Sequence, residues 1–367
     1  MQEREAWLAL NMVPHVGPTI FALLLERFGT ARHILKAPLK ALERIPSIGP
    51  ATAKAIRSFP AEETVARERK RMAARGLRFL TLRDAEYPAP LREIHQPPPV
   101  LYIQGRWEER DRKGVAIVGS RNATPYGRGV ADRLAFDLAA RGLTIVSGLA
   151  RGIDAAAHRG ALKAGGRTIA VLGSGADIIY PSEHRKLGES IVERGALLSE
   201  FPLGTNPHPG NFPQRNRLIS GLSLGVIVVE AAVDSGALIT ANHALEQGRE
   251  VFAVPGPARG RLSQGCHRLI KAGAKLTEGW EDVIEEFGIQ APSLQGTQET
   301  VAPLPPLEGE EGRVLSLLEE EPVHIDALIA ASRLPAPAVA ASLLSLEMKG
   351  WVKQLSGKTF VRMHDVR

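Results

Sequence analysis

Between residues 113 and 275 the chain alternates short, unbroken apolar runs with longer amphipathic stretches. The apolar runs are Val115–Gly119, Thr144–Gly148, Thr168–Gly173, Ala196–Glu200, Gly225–Glu230 and Glu250–Pro255. The stretches between them carry apolar residues at helical spacing and predict helices over about 126–141, 153–164, 183–194, 213–222, 236–247 and 264–273. A strand with no polar alternation is covered on both faces, and strands alternating with helices build a parallel sheet. The pattern therefore predicts an α/β fold with a Rossmann-like, doubly wound, mostly parallel sheet. Just upstream, Val100, Leu101, Tyr102 and Ile103 follow three prolines and predict an extended edge leading into that sheet.

The ends of the chain follow other rules. In residues 1–60, Trp7, Leu8, Leu10, Ile20, Leu23, Leu24 and Phe28 recur at helical spacing. Two similar turns interrupt them, V-P-H-V-G-P-T at 13–19 and I-P-S-I-G-P-A at 45–51, about 32 residues apart. Each leads into a helix whose first N–H groups can face a phosphate. This resembles a tandem helix-hairpin-helix (SAM-like) module, with a small packing bundle as the plainer alternative. At 289–307 a Pro-, Gln- and Thr-rich stretch without basic residues predicts a linker. Beyond it, three helical segments and a hairpin around Ser356–Gly357 have the pattern of a winged helix. Its recognition-type helix, A-P-A-V-A-A-S-L-L-S-L-E-M at 336–348, offers no Arg, Asn or Gln to read bases, which favours a protein-contact or accessory role. The expected division is 1–84 helical, 85–288 Rossmann-like, 289–307 linker and 308–367 winged helix.

Charge sharpens this division. The 367 residues are 44% hydrophobic and 23% charged, with a net charge of +6 and a pI near 9.5. Residues 1–84 hold 15 Lys and Arg against 8 Asp and Glu, whereas 85–288 hold 24 against 22 and 308–367 hold 7 against 9. A basic module beside a nearly neutral one suits a polyanion partner, although a solubilising surface would show the same balance. One cysteine, Cys266, excludes an intramolecular disulfide framework and a cysteine-based zinc site. No stretch approaches 18 uncharged apolar residues, and the start lacks a basic segment followed by an apolar one. A cytoplasmic protein with no membrane partner is expected.

In a parallel sheet the ligand sits at the carboxyl ends of the strands, near the point where strand order reverses. The loops there supply glycines, hydroxyls and arginines: Gly119, Ser120, Arg121, Arg151, Gly173, Ser174, Arg215, Asn216, Arg217, Ser235, Gly236 and Thr240. Glycine allows close backbone approach, and the guanidinium fork fits phosphate. Tyr126, Tyr180 and Phe212 could stack on unpaired bases or simply plug the sheet end. The triplet Arg215-Asn216-Arg217 reads as a phosphate grip opposite Arg121. No G-x-G-x-x-G and no G-x-x-x-x-G-K-[ST] occurs, so no nucleotide cofactor is expected. No histidine pair has metal-ligand spacing, so no metal is expected. Glu230 at a strand end is the best lone carboxylate for catalysis, though it could equally bond a neighbouring loop. Asp154 and His158 would share a helical face, more as a packing pair than an acid–base dyad.

The ordered motifs I-V-G-S-R-N-A-T-P-Y-G, V-S-G-L-A-R-G-I-D-A-A-A-H, T-I-A-V-L-G-S-G-A-D-I-I-Y-P, L-L-S-E-F-P, F-P-Q-R-N-R-L-I-S-G-L-S and S-G-A-L-I-T-A-N-H-A-L-E-Q-G-R-E-V-F-A-V-P-G match the bacterial DNA-processing protein A (DprA/Smf) family over about 115–275. The resemblance implies a non-enzymatic, sequence-tolerant single-stranded DNA binder that protects incoming DNA in natural transformation and competence. It also implies DNA recombination through RecA loading, with RecA recombinase and a homodimeric second copy as partners. Carried across, the family's G-S-R loop falls on Gly119, Ser120 and Arg121, and its F-P-x-R-N-R segment on Phe212, Pro213, Arg215, Asn216 and Arg217. Two departures are His184, where the family commonly has Asn, and G-C-H-R-L-I at 265–270 in place of G-x-N-x-L-I.

Two other readings compete. One is a nucleoside-monophosphate-processing enzyme of the related lysine-decarboxylase-like fold, using Arg121 and Glu230. Its usual P-G-G-x-G-T-x-x-E motif is replaced here by S-G-A-L-I-T-A-N-H-A-L-E. The other is a duplex-specific regulator acting through the winged helix, against which the bare recognition helix counts.

Overall fold

The computed structural model describes residues 1–289, 309–318, 322–355 and 357–362. Its contacts divide the chain into two compact units, Met1–Ala291 and Pro292–Arg367.

The first unit opens with six helices: α1 (Glu3–Asn11), α2 (Pro18–Phe28), α3 (Ala31–Lys36), α4 (Leu39–Glu43), α5 (Pro50–Ser58) and α6 (Ala61–Ala73). Their buried faces carry the apolar spacing seen in the sequence, with Trp7 and Phe21 rings 5.0 Å apart at the centre. The repeated turns precede α2 and α5, each with Gly at the N-cap and Pro at the first helical position. The left-handed residues are His15 (φ 66°) and Ser47 (φ 72°), while Gly17 and Gly49 are extended. A Cβ on either glycine would meet nothing within 4 Å, so the backbone there is open to a neighbour.

Next come β1 (Leu77–Thr81), α7 (Ala89–Arg92) and β2 (Val100–Gly105). Two differences from the sequence reading lie here. First, β1 is a sheet strand, paired antiparallel with β2, although it precedes residue 85. Second, β2 is an interior strand between β1 and β6 (Ala196–Ser199) rather than an edge. Val100 to Ile103 are all 0% exposed, as covered faces and two ladder neighbours require. Leu77, Phe79, Val100 and Tyr102 share one core with the N-terminal helices. The Glu68 carboxylate of α6 accepts from Leu203 N at 2.8 Å, and Arg71 donates to Leu203 O and Asp177 Oδ2, each at 3.0 Å.

The remaining elements alternate as expected: β3 (Gly114–Val118), α8 (Pro125–Ala140), β4 (Thr144–Ser147), α9 (Ile153–Lys163), β5 (Thr168–Val171), α10 (Arg185–Arg194), β6, α11 (Asn211–Gly221), β7 (Gly225–Val228), α12 (Gly236–Glu246), β8 (Glu250–Ala253), α13 (Gln264–Lys271), β9 (Lys275–Leu276) and α14 (Trp280–Glu286). Strand order is β1-β2-β6-β5-β4-β3-β7-β8-β9, and every pairing from β6 to β9 is parallel. Helices α7, α11, α12 and α13 cover one face with a core that includes Leu91, Leu218, Ala241 and Leu269. Helices α8, α9 and α14 cover the other, with Leu134, Ala157 and Val283. The chain winds outward from β3 to β6, then returns past β3 to β7. The carboxyl ends of β3 and β7 therefore flank the switch point.

The second unit holds α15 (Glu310–Ser316), β10 (Val323–His324), α16 (Ile325–Ser332), α17 (Ala336–Met348), β11 (Val352–Leu355) and β12 (Thr359–Arg362). Its antiparallel sheet has the order β10-β12-β11, and Val314, Leu328, Val339, Leu346 and Phe360 form its core. This is a winged helix. Leu344 and Met348 project outward from α17. Apart from Ile289 the expected linker lies outside the described residues, as does Ser356 of the hairpin. Among the described residues no single helix is long and apolar enough to cross a membrane.

Candidate functional site

The switch point opens into a cleft of about 780 Å³. Its first wall follows β3. A Cβ at Gly119 would stand 2.6 Å from Ile153 Cγ1 and 2.9 Å from Glu230 O, so only glycine lets this loop pass. Ser120 N donates to Glu230 O at 2.6 Å, and Ser120 Oγ accepts from Asn122 N at 3.1 Å. The Glu230 carboxylate accepts from Thr124 N (2.8 Å) and Thr124 Oγ1 (2.6 Å), fastening the end of β7 to the start of α8. Each oxygen thereby accepts one hydrogen bond, and Glu230 is buried and does not line the cleft.

Arg121 projects from this anchored loop. It is exposed, has no hydrogen bond or salt bridge among the described residues, and lies 4.9 Å from the Phe212 ring centroid. Phe212 rests on Gly173, where a Cβ would come within 2.8 Å of its Cδ1, and Tyr180 tilts against it at 5.9 Å. Asn211 Nδ2 donates to Gly173 O at 3.0 Å, while Ser174 Oγ donates to Ile178 O at 2.7 Å. Gly173 and Ser174 thus shape the support under the aromatic wall. On the far side, Ser235 caps α12 through Ala237 N (3.3 Å), and Thr240 lines the floor one turn further on. Asn216 Nδ2 donates to Gly236 O at 3.2 Å and joins α11 to α12.

The two arginines of the triplet behave differently from the sequence reading. Residues two apart on a helix point about 200° apart, so Arg215 and Arg217 face opposite ways. Arg215 is 3% exposed and lies under Phe212, donating to Gly148 O at 2.9 Å, to Val171 O, and through Nε to Asn216 Oδ1 at 3.3 Å. Burial lowers its pKa to about 10, partly countered by nearby Asp154. Arg217 does not line the cleft. It pairs with Glu200 at 2.5 Å, and burial raises the Glu200 pKa against the pull of that cation. Arg151 is also outside the cleft, held by Glu183 through two bonds of 2.5 and 2.9 Å.

Asp154 and His158 do not form a dyad. Asp154 accepts from Gly148 N (3.2 Å) and Ala150 N (3.3 Å), and burial raises its pKa. His158 Nδ1 pairs with Thr168 Oγ1 at 2.7 Å, and burial lowers its pKa to about 3. Among the described residues no group of three or more His, Cys, Asp or Glu is placed to hold a metal ion. The structure adds Asn122, Pro207, Pro209 and Arg261 to the cleft. The turn P-G-P-A-R-G-R-L at 255–262 has the same Gly-and-Arg composition as the other strand-end loops, a signal legible in the sequence.

Fold and cleft place the chain among Rossmann-like proteins with an open, cation-rimmed and aromatic-walled switch point, preceded by a helical hairpin module and followed by a winged helix. The chain belongs to the DNA recombination-mediator protein A family, whose model matches residues 78–288. A helix-hairpin-helix motif matches 6–67 and a DprA winged-helix domain 298–358. Protein Smf of Synechocystis sp. is 37% identical over 98% of this chain and 99% of that protein. DNA processing protein DprA of Bacillus subtilis is 45% identical over 58% of this chain and 72% of its own length. The crystal structure of DprA from Streptococcus pneumoniae aligns with a TM-score of 0.69 and 35% identity, covering 78% of this chain and 99% of that one. DprA from Helicobacter pylori, described for its single-stranded DNA binding mode, aligns with a TM-score of 0.52 and 32% identity, covering 57% and 95%.

Proposed function

We propose that the switch-point cleft holds single-stranded DNA without turning it over, protects it, and presents it to RecA recombinase during natural transformation, with the chain acting as a cytoplasmic homodimer. The observation that carries this reading is Arg121: a guanidinium with no hydrogen bond or salt bridge among the described residues, on an anchored glycine loop and against Phe212 at the mouth of the cleft. A cation beside an aromatic face suits a backbone phosphate next to an unpaired base. In a duplex the base faces are stacked inside and cannot reach Phe212 or Tyr180, so a single strand is the better fit. The Helicobacter pylori relative, described as a single-stranded DNA binder, supports the same ligand. The nucleotide-processing alternative would need the Glu230 carboxylate in the cleft, whereas it is buried, hydrogen-bonded to Thr124 and absent from the cleft lining.

The test is a titration of labelled single- and double-stranded oligonucleotides across salt concentrations. Tighter single-strand binding is expected, with a salt slope of about −0.7 per neutralised phosphate. Preference for duplex, or release of base from a nucleoside monophosphate that Glu230→Gln abolishes, would overturn the reading.

A further inference from the structure

The proposed strand needs more than one anchor, and the turn after β8 offers a second. Its backbone is fixed at several points. Gly260 N donates to Pro257 O at 2.8 Å, Ser263 N to Gly260 O at 3.0 Å and Ala231 N to Leu262 O at 2.7 Å, while His267 Nε2 pairs with Gly256 O at 3.0 Å. The turn is tightly packed at Gly260, where a Cβ would stand 2.8 Å from Ser263 Oγ and 3.1 Å from Pro257 O.

Two arginines project from this rigid turn. Arg259 and Arg261 are exposed, and neither has a hydrogen-bond or carboxylate partner among the described residues. Some exposed arginines are tied to acids, as Arg67 is to Glu63, Arg133 to Asp137 and Arg151 to Glu183; among the described residues Arg259 and Arg261 are not. Arg261 lines the same cleft as Arg121. Strands β3, β7 and β8 are consecutive in the sheet, so the loops after β3 and β8 lie two strand spacings apart, about 10 Å. The N-terminus of α12, with Ser235 and Gly236, lies on the loop between them. Exposed Asp234 on that loop adds one opposing charge against the two cations.

We infer that Arg261, assisted by Arg259, forms a second phosphate contact on the rim opposite Arg121. The DNA backbone then crosses the carboxyl end of β7, and its footprint spans at least two phosphates per cleft. This inference rests on the cleft being the single-strand site, and the experiment separates the two claims.

Full-length Arg121→Ala, Arg261→Ala, Arg261→Lys and the double alanine variant are titrated with a labelled oligothymidylate between 50 and 200 mM salt. Loss of one phosphate contact removes about 0.7 from the salt slope, which weakens binding about eightfold at 50 mM and about threefold at 200 mM. Arg121→Ala and Arg261→Ala should each show this loss, and the double variant about twice the slope change. Arg261→Lys should keep the parent slope, because the charge remains. An Arg261→Ala variant that titrates like the parent while Arg121→Ala is weakened overturns the second contact and leaves the site intact. Parent-like titration of both variants overturns the site itself.

Discussion

Replacing Arg215 by Met distinguishes a buried pillar from a phosphate grip. The guanidinium is 3% exposed and bonds Gly148 O, Val171 O and Asn216 Oδ1, tying the ends of β4 and β5 to α11. Met fills much of the stem volume but offers no donor. Two buried strand-end carbonyls then lose a charged partner, at about 1–3 kcal/mol each. Buried Asp154 also loses the cation that favours its charged form. The apolar stem that Met retains offsets part of this, leaving a loss of about 2–5 kcal/mol. With a urea m-value of about 3 kcal/mol per M for a unit of this size, the unfolding midpoint falls by about 1 M. Urea titration followed by the fluorescence of Trp7, Trp107 and Trp280 reads this shift. In native buffer the variant should keep the parent's DNA salt slope, because the buried Arg215 guanidinium is engaged by Gly148 O and Val171 O. An unchanged midpoint together with a slope flatter by about 0.7 would refute the reasoning and restore Arg215 as a direct contact.

Other consequences follow from groups around the cleft. The unfolded chain protonates His158 near pH 6.5, whereas the folded chain resists until about pH 3, so stability falls as pH drops through that window. His158→Asn should remove up to about 1.4 kcal/mol per pH unit of this dependence, and identical slopes in variant and parent urea midpoints between pH 6.5 and 4 would contradict it. In Gly173→Ala the new Cβ lies 2.8 Å from Phe212 Cδ1, so the ring must leave its place beside Arg121. Single-strand affinity should then fall about fivefold, roughly 1 kcal/mol, and parent affinity would show that the ring position is immaterial.

The sheet was largely legible because its covered strands are unbroken apolar runs, a signal that short loops cannot imitate. Strand β1 was not. Its five residues include Arg78, it follows a basic helix, and its pairing with β2 is visible only in three dimensions. In the cleft, Gly119, Arg121 and Phe212 could be named from loop composition and family resemblance. The division of labour within Arg215-Asn216-Arg217 could not. It depends on the rotation of α11 and on acceptors at Gly148 and Val171, 67 and 44 residues away in sequence. Arg217 reads like a twin of Arg215, yet its partner, Glu200, lies at the end of a different strand. Arg261 lies in a loop after β8, two strands from β3, and only the sheet order brings it to the same cleft.

Photo-cross-linking shows whether a single strand lies in this cleft. An oligonucleotide of 5-iodouridines, bound to the full-length chain and irradiated, reports the nearest aromatic side chains by mass spectrometry of the digested adducts. Adducts are expected on Phe212 and Tyr180, and they should be lost when unlabelled single strand competes. Adducts confined to the winged helix or to the two N-terminal hairpin turns, with the peptides containing Phe212 and Tyr180 unmodified, would contradict it.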